Sequence, residues 1–315
     1  MDLGLTGKIA LVTGGSKGIG KAIAKSLASE GCKVAICARG EEDLLKVKEE
    51  VEMDGGSVLA LSADLTKQED VDHLISIIEE EFGGLDILVN NAGMTPGFYD
   101  FEKINMEDWE EIFALNVFGT VRVTKAALPL LKQRQNGRII NIGSESGVQP
   151  DGFMPEYNAT KAALINLSKS WSKAFAKYGI LVNTVSPAFV MTPLLENSLE
   201  QDASREGTTL EEQIQQFLQK NRPHIELKRP GKPEEVAAAV TFFIFGKIVL
   251  HQWRKFTCGW RLSCSTIILY PSKRGANKYD CQGNDRCIYP HRASASRHNC
   301  GAYGKTFAAC IQCGR

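Results

Sequence analysis

The chain has 315 residues, of which 43% are apolar, with 37 basic against 37 acidic side chains. That composition excludes disordered, collagen-like and membrane-embedded classes and leaves a soluble globular protein large enough to bury a full core. The neutral total hides two opposite parts. From Ile244 to Arg315, twelve Lys and Arg stand against Asp280 and Asp285, a net +10, so residues 1–243 hold 25 basic and 35 acidic groups, a net −10. Only Cys32 and Cys37 precede this basic stretch; the other seven of the nine cysteines lie within it.

In chain order, the segments KIALVT (Lys8 to Thr13), KVAICA (Lys33 to Ala38), SVLALS (Ser57 to Ser62), ILVN (Ile87 to Asn90), RIINI (Arg138 to Ile142) and LVNTV (Leu181 to Val185) read as strands buried on both faces. Helix-length amphipathic segments separate them. Strands alternating with helices predict right-handed βαβ units, hence an α/β doubly wound parallel sheet in a single domain over 1–243. Thr66 and Glu69 predict a capping box for the helix ending near Phe82. Pro233 followed by Glu234 and Glu235 suits a helix first turn. A Gln- and Glu-rich helix, Thr208 to Lys220, sits inside a long excursion between Thr192 and Pro233. The N-terminus has an acidic second residue and a short apolar run ending in glycines, which is not a secretory signal. The longest apolar stretch, Val236 to Leu250, is broken by Gly246 and Lys247 and falls short of the roughly 20 residues a membrane span needs. A cytoplasmic protein with reduced, buried thiols at Cys32 and Cys37 is expected, without membrane or nucleic-acid partners.

The first strand runs into TGGSKGIG, with Gly14, Gly18 and Gly20. Glycines here let the backbone turn tightly and approach a pyrophosphate, whose charge sits at the positive end of the next helix. An ordinary tight strand-to-helix turn is the competing reading of such a motif. The second strand ends at Ala38 and Arg39, where an acidic residue would bind a free ribose 2′-hydroxyl. With Arg39 and Lys17 instead, a 2′-phosphate is the better guest, and NADP (NADPH) is favoured over NAD, unless both are simply surface cations. Tyr157 and Lys161, in YNATK, lie at i and i+4 and so on one helix face. A phenol of pKa about 10 needs help to act as an acid or base at neutral pH, and a neighbouring cation favours phenolate. Ser144, 13 residues upstream at the end of the RIINIGS strand, is placed to bind a carbonyl oxygen.

Together these motifs resemble the short-chain dehydrogenase/reductases, in the compact form that includes 3-oxoacyl-[acyl-carrier-protein] reductases. The likeness covers nearly all of residues 5 to 243. It implies that Gly14, Gly18 and Gly20 hold the pyrophosphate, with Ser16, Lys17 and Ile19 also binding the cofactor. It implies that Asp64 and Leu65 of ADL meet the adenine, and that Asn90, Asn91, Ala92 and Gly93 of NNAG steady the fourth strand and the cofactor. Pro187, Val190 and Thr192 of VNTVSPAFVMT would form the nicotinamide end. Ala188 stands where the family usually has glycine. Asn116, in FALNVFG, would bind the water of a proton relay through Lys161; Ser144 would polarise the carbonyl; Tyr157 would deliver the proton, and Lys161 would also hold the ribose. The implied reaction is hydride transfer between nicotinamide and a small carbonyl or alcohol substrate, by a homodimer or homotetramer.

The likeness stops after Phe243, where the chain continues IFGKIVLHQWRKFTCGWRLSCS. Taking the last two bases of each codon with the first of the next, Phe245 to Ser263 permits SEKSSFISGGSLRVDGGYP. Because TGG is the single tryptophan codon, Trp253 before Arg254 and Trp260 before Arg261 must each give glycine, where the family's terminal GG pairs fall. Residues 244–315 are therefore expected to be out of frame and disordered, with the seventh strand of the sheet lost. Cys310 and Cys313, with Cys281, Cys287, Cys300, His291 and His298, offer zinc-type ligands at irregular spacing, and no metal is expected. The alternative to an active reductase is an inert frameshifted product that folds poorly or acts only by binding.

Overall fold

In a computed structural model, residues 3–95, 97, 99–134, 136–223 and 225–244 are described, together with the backbone of 266–269. The chain divides into a first unit, Met1–Lys273, and a second, Arg274–Arg315, which lies outside the described residues. The expectation of a disordered tail falls on residues outside that description, apart from Ile244 and 266–269.

The first unit runs β1 (Ile9–Thr13), α1 (Gly18–Ser29), β2 (Lys33–Ala38), α2 (Glu41–Met53), β3 (Ser57–Ser62), α3 (Gln68–Phe82) and β4 (Ile87–Asn90). It continues with α4 (Met106–Phe113), α5 (Thr120–Gln133), β5 (Arg138–Ile142), α6 (Pro155–Phe175), β6 (Leu181–Pro187), α7 (Pro193–Glu206), α8 (Leu210–Asn221), α9 (Pro233–Ile244) and β7 (Thr266–Leu269). The strands form one parallel sheet in the order β3-β2-β1-β4-β5-β6-β7. Strand order reverses between β1 and β4, and the crevice at their carboxyl ends is where such sheets take ligands.

Each sheet face is covered, as buried apolar strands require. On one side Ile23 and Leu27 of α1 and Val236, Val240 and Phe243 of α9 pack on Val12, Ile140 and Val185. On the other, Leu74 and Ile78 of α3 and Val123 and Leu131 of α5 cover Leu11, Leu88 and Ile139. Burial of β3 is only partial, with Ser57 and Ser62 exposed, because it is an edge strand rather than one enclosed on both faces.

Two expectations are corrected. The seventh strand is not lost: Thr266–Leu269 takes the edge beyond β6, pairing Thr184 with Thr266 through Pro187 with Leu269. A short β-branched run, TIIL, meets the requirement of that edge although it lies outside the family-like sequence. The capping box at Thr66 is also absent, since both the backbone N–H and hydroxyl of Thr66 donate to Asp64 Oδ1 at 2.9 and 2.8 Å, and α3 starts after Lys67. Boxes occur instead at Asn105 with Asp108 and at Thr209 with Glu212.

The excursion between Thr192 and Pro233 forms a helical cover of α7 and α8 with its own small core of Phe189, Leu199, Ile214, Leu218 and Ile225. Phe189 stacks on Phe217 at 4.6 Å between centroids. A parallel bridge between Val190 and Gly231 ties its two ends together.

Candidate active site

A cleft of about 650 Å³ opens at the carboxyl ends of the central strands. Of the residues expected to hold a cofactor, Gly14, Ser16, Lys17, Gly18, Ile19, Gly20, Arg39, Asp64, Leu65, Asn91, Ala92, Gly93, Tyr157, Lys161, Pro187, Val190 and Thr192 all line it. Asn90 does not; it is buried, donating from Nδ2 to Asn141 Oδ1 at 2.8 Å and to Thr124 Oγ1 at 3.0 Å, and so braces β4 against β5 and α5.

The glycine turn is built for backbone approach. Gly14 and Gly18 have φ of 64° and 52°, in the left-handed region that favours glycine. A Cβ on Gly14 would sit 2.9 Å from Ala92 Cα, and one on Gly20 would run into the Gly14 carbonyl oxygen. The Asn91 amide donates to the carbonyls of Thr13 and Gly14 at 3.0 and 3.1 Å, fixing the turn from behind. No side chain caps α1 and its first turn holds no acidic residue, so its N–H groups face the cleft ready for an anion. These features fit a dinucleotide pyrophosphate.

At the far end of the cleft the structure adds a residue that the sequence reading missed. Asp43, in the first turn of α2, lines the cleft and pairs with Lys17 at 2.7 Å. The bond to Lys17 holds the Asp43 carboxyl below its ordinary range. The expectation that no carboxylate stands near the ribose end is therefore corrected. Its one sequence signal is the acidic first turn of α2, where Asp43 follows Glu41 and Glu42 just after the second strand. Arg39 lies close enough to Asp64 to help keep that carboxylate ionised, after the larger contribution of the Thr66 N–H.

Ser144, Tyr157 and Lys161 converge on the same wall. Ser144 follows β5 and accepts from Ser146 N–H at 3.2 Å, while its hydroxyl lies 3.1 Å from that of Ser146. Met154, at φ 63°, forces the chain through a left-handed turn immediately before α6. Within α6, Lys161 Nζ donates to the Ile142 carbonyl at 3.0 Å and lies 5.5 Å from the Tyr157 ring centre. Burial pushes Lys161 down to about 8. It also raises the Tyr157 phenol; the Ser144 hydrogen bond and the more distant Arg222 pull it down, while Glu145 pushes it up. A lowered phenol was expected from the lysine alone, and the protein by itself does not supply it: the ammonium is turned to the Ile142 carbonyl, and desolvation outweighs the favourable partners.

Asn116 lies in a widened π-type turn, Ala114–Gly119, between α4 and α5. Its side chain is fully buried and committed, accepting from Met94 N–H at 2.8 Å and donating to the Met94 carbonyl at 2.9 Å and Thr160 Oγ1 at 3.2 Å. It thereby fixes the loop after β4 against α6. Behind Ser144 lies a further group that sequence reading missed. Glu145, Asp151 and Arg222 form a buried ion cluster, with Arg222 Nε 2.6 Å from Glu145 Oε1 and both terminal nitrogens 2.6 Å from the Asp151 oxygens. Partners 77 and 71 residues apart leave no local signal. Among the described residues no cluster of His, Cys, Asp and Glu could hold a metal, and no helix is long and apolar enough to cross a membrane.

Comparisons with known proteins agree with this geometry. Residues 8–203 match the short chain dehydrogenase family. The chain is 37% identical over 239 residues to a 3-oxoacyl-[acyl-carrier-protein] reductase of Synechocystis, covering 76% of this chain and 89% of that protein. It is 35% identical over 219 residues to a D-beta-hydroxybutyrate dehydrogenase of Rhizobium meliloti, covering 69% and 84%. The fold superposes on L-sorbose reductase from Gluconobacter frateurii, solved with NADPH and L-sorbose, with a TM-score of 0.78, 29% identity and coverage of 88% of this chain and all of that one. An actinorhodin polyketide ketoreductase variant solved with NADPH matches at 0.69 and 33% identity, covering 75% and 90%. By its sequence and its fold, the chain is an oxidoreductase that belongs to the short-chain dehydrogenase/reductase family.

Proposed function

We propose that the chain is an NADPH-dependent carbonyl reductase, with a 3-oxoacyl thioester as its first candidate substrate. The observation that carries this reading is one cleft in which a glycine cradle and Arg39 stand at one end and Ser144, Tyr157 and Lys161 at the other. The Synechocystis relative's name supports the thioester, and the NADPH in both reductase structures supports the cofactor. The L-sorbose bound to one of them makes a ketose the competing substrate.

A bound nicotinamide supplies the hydride. The chain's own part is orientation and proton supply. The Ser144 hydroxyl donates to the substrate carbonyl oxygen, and Tyr157 gives that oxygen its proton. Lys161 holds the ribose, and its ammonium offsets charge as the phenol loses its proton. Met94, Thr95 and Leu194 also line the cleft and are the residues proposed to meet the substrate body. Arg39 carries the preference for a 2′-phosphate, because Lys17 is already paired with Asp43. A homodimer or homotetramer is supported by family likeness and by the exposed Phe118 beside α5; light scattering on a sizing column tests it.

The deciding assay follows absorbance at 340 nm with NADPH or NADH and a panel of a 3-oxoacyl thioester, a ketose and a simple ketone. NADPH oxidation with one of these is expected. Preference for NADH would overturn the cofactor assignment, and no oxidation of either cofactor would favour the second reading. That reading, an inert frameshifted product, draws on the break after Phe243 and on the two tryptophan codons that become glycines.

A further inference from the structure

Arg222 closes α8 as its final cap and is 6% exposed, yet it belongs to the cover rather than to the sheet domain beneath it. Its guanidinium holds Asp151 bidentately and Glu145 at 2.6 Å, and it lies 5.8 Å from the Phe217 ring centre. Asp151 precedes α6, and its carbonyl accepts from Asn158 Nδ2 at 2.8 Å, one residue past Tyr157. Glu145 directly follows Ser144. One buried cation of the cover therefore touches the two segments that carry the expected carbonyl binder and proton donor. Burying three charges is expensive unless geometry is close to ideal, and removing the cation would strand two carboxylates.

We propose that Arg222 is a positioning residue for proton transfer: docked from the cover onto Glu145 and Asp151, it sets the Ser144 loop and the start of α6, so that covering the pocket and arming Tyr157 are one event. This rests on Tyr157 as the proton donor. The groups that bear on the phenol are Ser144 and Glu145 from the loop after β5, Arg222 from the cover with Asp151 paired behind it, and Lys161 from its own helix. Glu145 opposes phenolate and Arg222 favours it, so the two variants must move Tyr157 in opposite directions.

The test uses the full chain with Arg222→Met, Arg222→Lys and Glu145→Gln, each also made with Tyr157→Phe. Subtracting the 295 nm absorbance of the Tyr157→Phe partner isolates the titration of that one phenol without requiring turnover. Arg222→Met is expected to move its ionisation to higher pH, and Glu145→Gln to lower pH. Arg222→Met should also lower NADPH turnover about 10- to 100-fold, as small misplacements do, while NADPH affinity changes less than about twofold. Trypsin should cut Arg222→Met first within 193–232. Arg222→Lys, which keeps the charge without the fork, should retain the titration and lose part of the turnover. If Arg222→Met does not fold, an unshifted phenol in Glu145→Gln overturns the proposal by itself. A cover that loosens with no change in titration would likewise reduce Arg222 to a structural tie. Turnover surviving in Tyr157→Phe would strike instead at the donor assignment, leaving the proteolysis and the other variants to judge the cover.

Discussion

Lys161 is held in a position that suits chemistry better than stability. Burial lowers it to about 8, so the unfolded chain binds its proton more tightly than the folded one. Below pH 8 both forms are charged and the fold carries the full desolvation cost; that cost fades as pH rises from 8 toward the unfolded value. Lys161→Met should therefore raise stability at pH 7 by about 2–3 kcal/mol, allowing for the lost bond to the Ile142 carbonyl. The gain should shrink by pH 10 in melts recorded across that range, while turnover falls at least about 100-fold. A pH-independent difference would mean that the folded and unfolded chains hold the lysine proton equally tightly, so that burial does not lower it. At the opposite end of the cleft, Asp43 holds Lys17, a cation that on the proposed reading would otherwise be available to a 2′-phosphate. Asp43→Asn should free that cation and lower the KM for NADPH about three- to tenfold, with little change for NADH. Equal effects on both cofactors would place Asp43 away from the 2′-position.

Among the elements, α6 shows most clearly what the sequence could and could not reveal. Its YNATK spacing sets Tyr157 and Lys161 on one face, and the structure keeps them there. Five strands were legible nearly to the residue because each is a continuous apolar run ending in turn residues, and the glycine turn was legible because few other residues can adopt it. What escaped were pairings set by the tertiary fold. Asp43 of α2 finds Lys17 at the start of α1, Arg222 finds Glu145 and Asp151 from another layer, and Thr66 prefers Asp64 to the cap it matched by spacing. Glu156 is another case. It sits in the first turn of α6, favourable for an acidic residue, yet it is fully buried and its carboxyl oxygens find no partner among the described residues beyond its own backbone N–H. Burial raises its carboxyl above the ordinary range, and Asp108 adds to the effect. The fold thus prefers the protonated acid, and stability is lost as pH climbs above the unfolded carboxylate value. Glu156→Met should stabilise by about 1–3 kcal/mol at pH 7, the gain diminishing toward pH 4 in denaturant titrations. A gain that did not diminish would point to packing rather than charge.

For the whole molecule, the question is what completes the sheet after α9. That helix is well made: Pro233 and the acidic first turn start it, Glu235 is held at about 2 chiefly by Arg229, and Val236, Val240 and Phe243 seal the core over α1. Every residue assigned to the cleft lies before its end. Beyond it, Thr266–Leu269 supplies backbone pairing to β6, so the sheet edge is covered by four residues that carry none of the family's terminal motif. We propose that the alternative reading frame holds the better partner. Its SGG segment leads into SLRV, a short alternation of polar and apolar residues that runs into DGG, within nineteen residues of Ile244, whereas the present strand begins only at Thr266. A shorter connection has less loop-closure entropy to overcome, and losing the +10 stretch removes its attraction for the −10 body without removing any group of the cleft. Replacing everything after Ile244 with SEKSSFISGGSLRVDGGYP should therefore raise the Tm by about 5 °C or more and increase NADPH turnover, with the same carbonyl preference. An unchanged or lower Tm, together with a gene sequence that reads unambiguously through the Thr241 codon, would leave Thr266–Leu269 as the strand this protein uses.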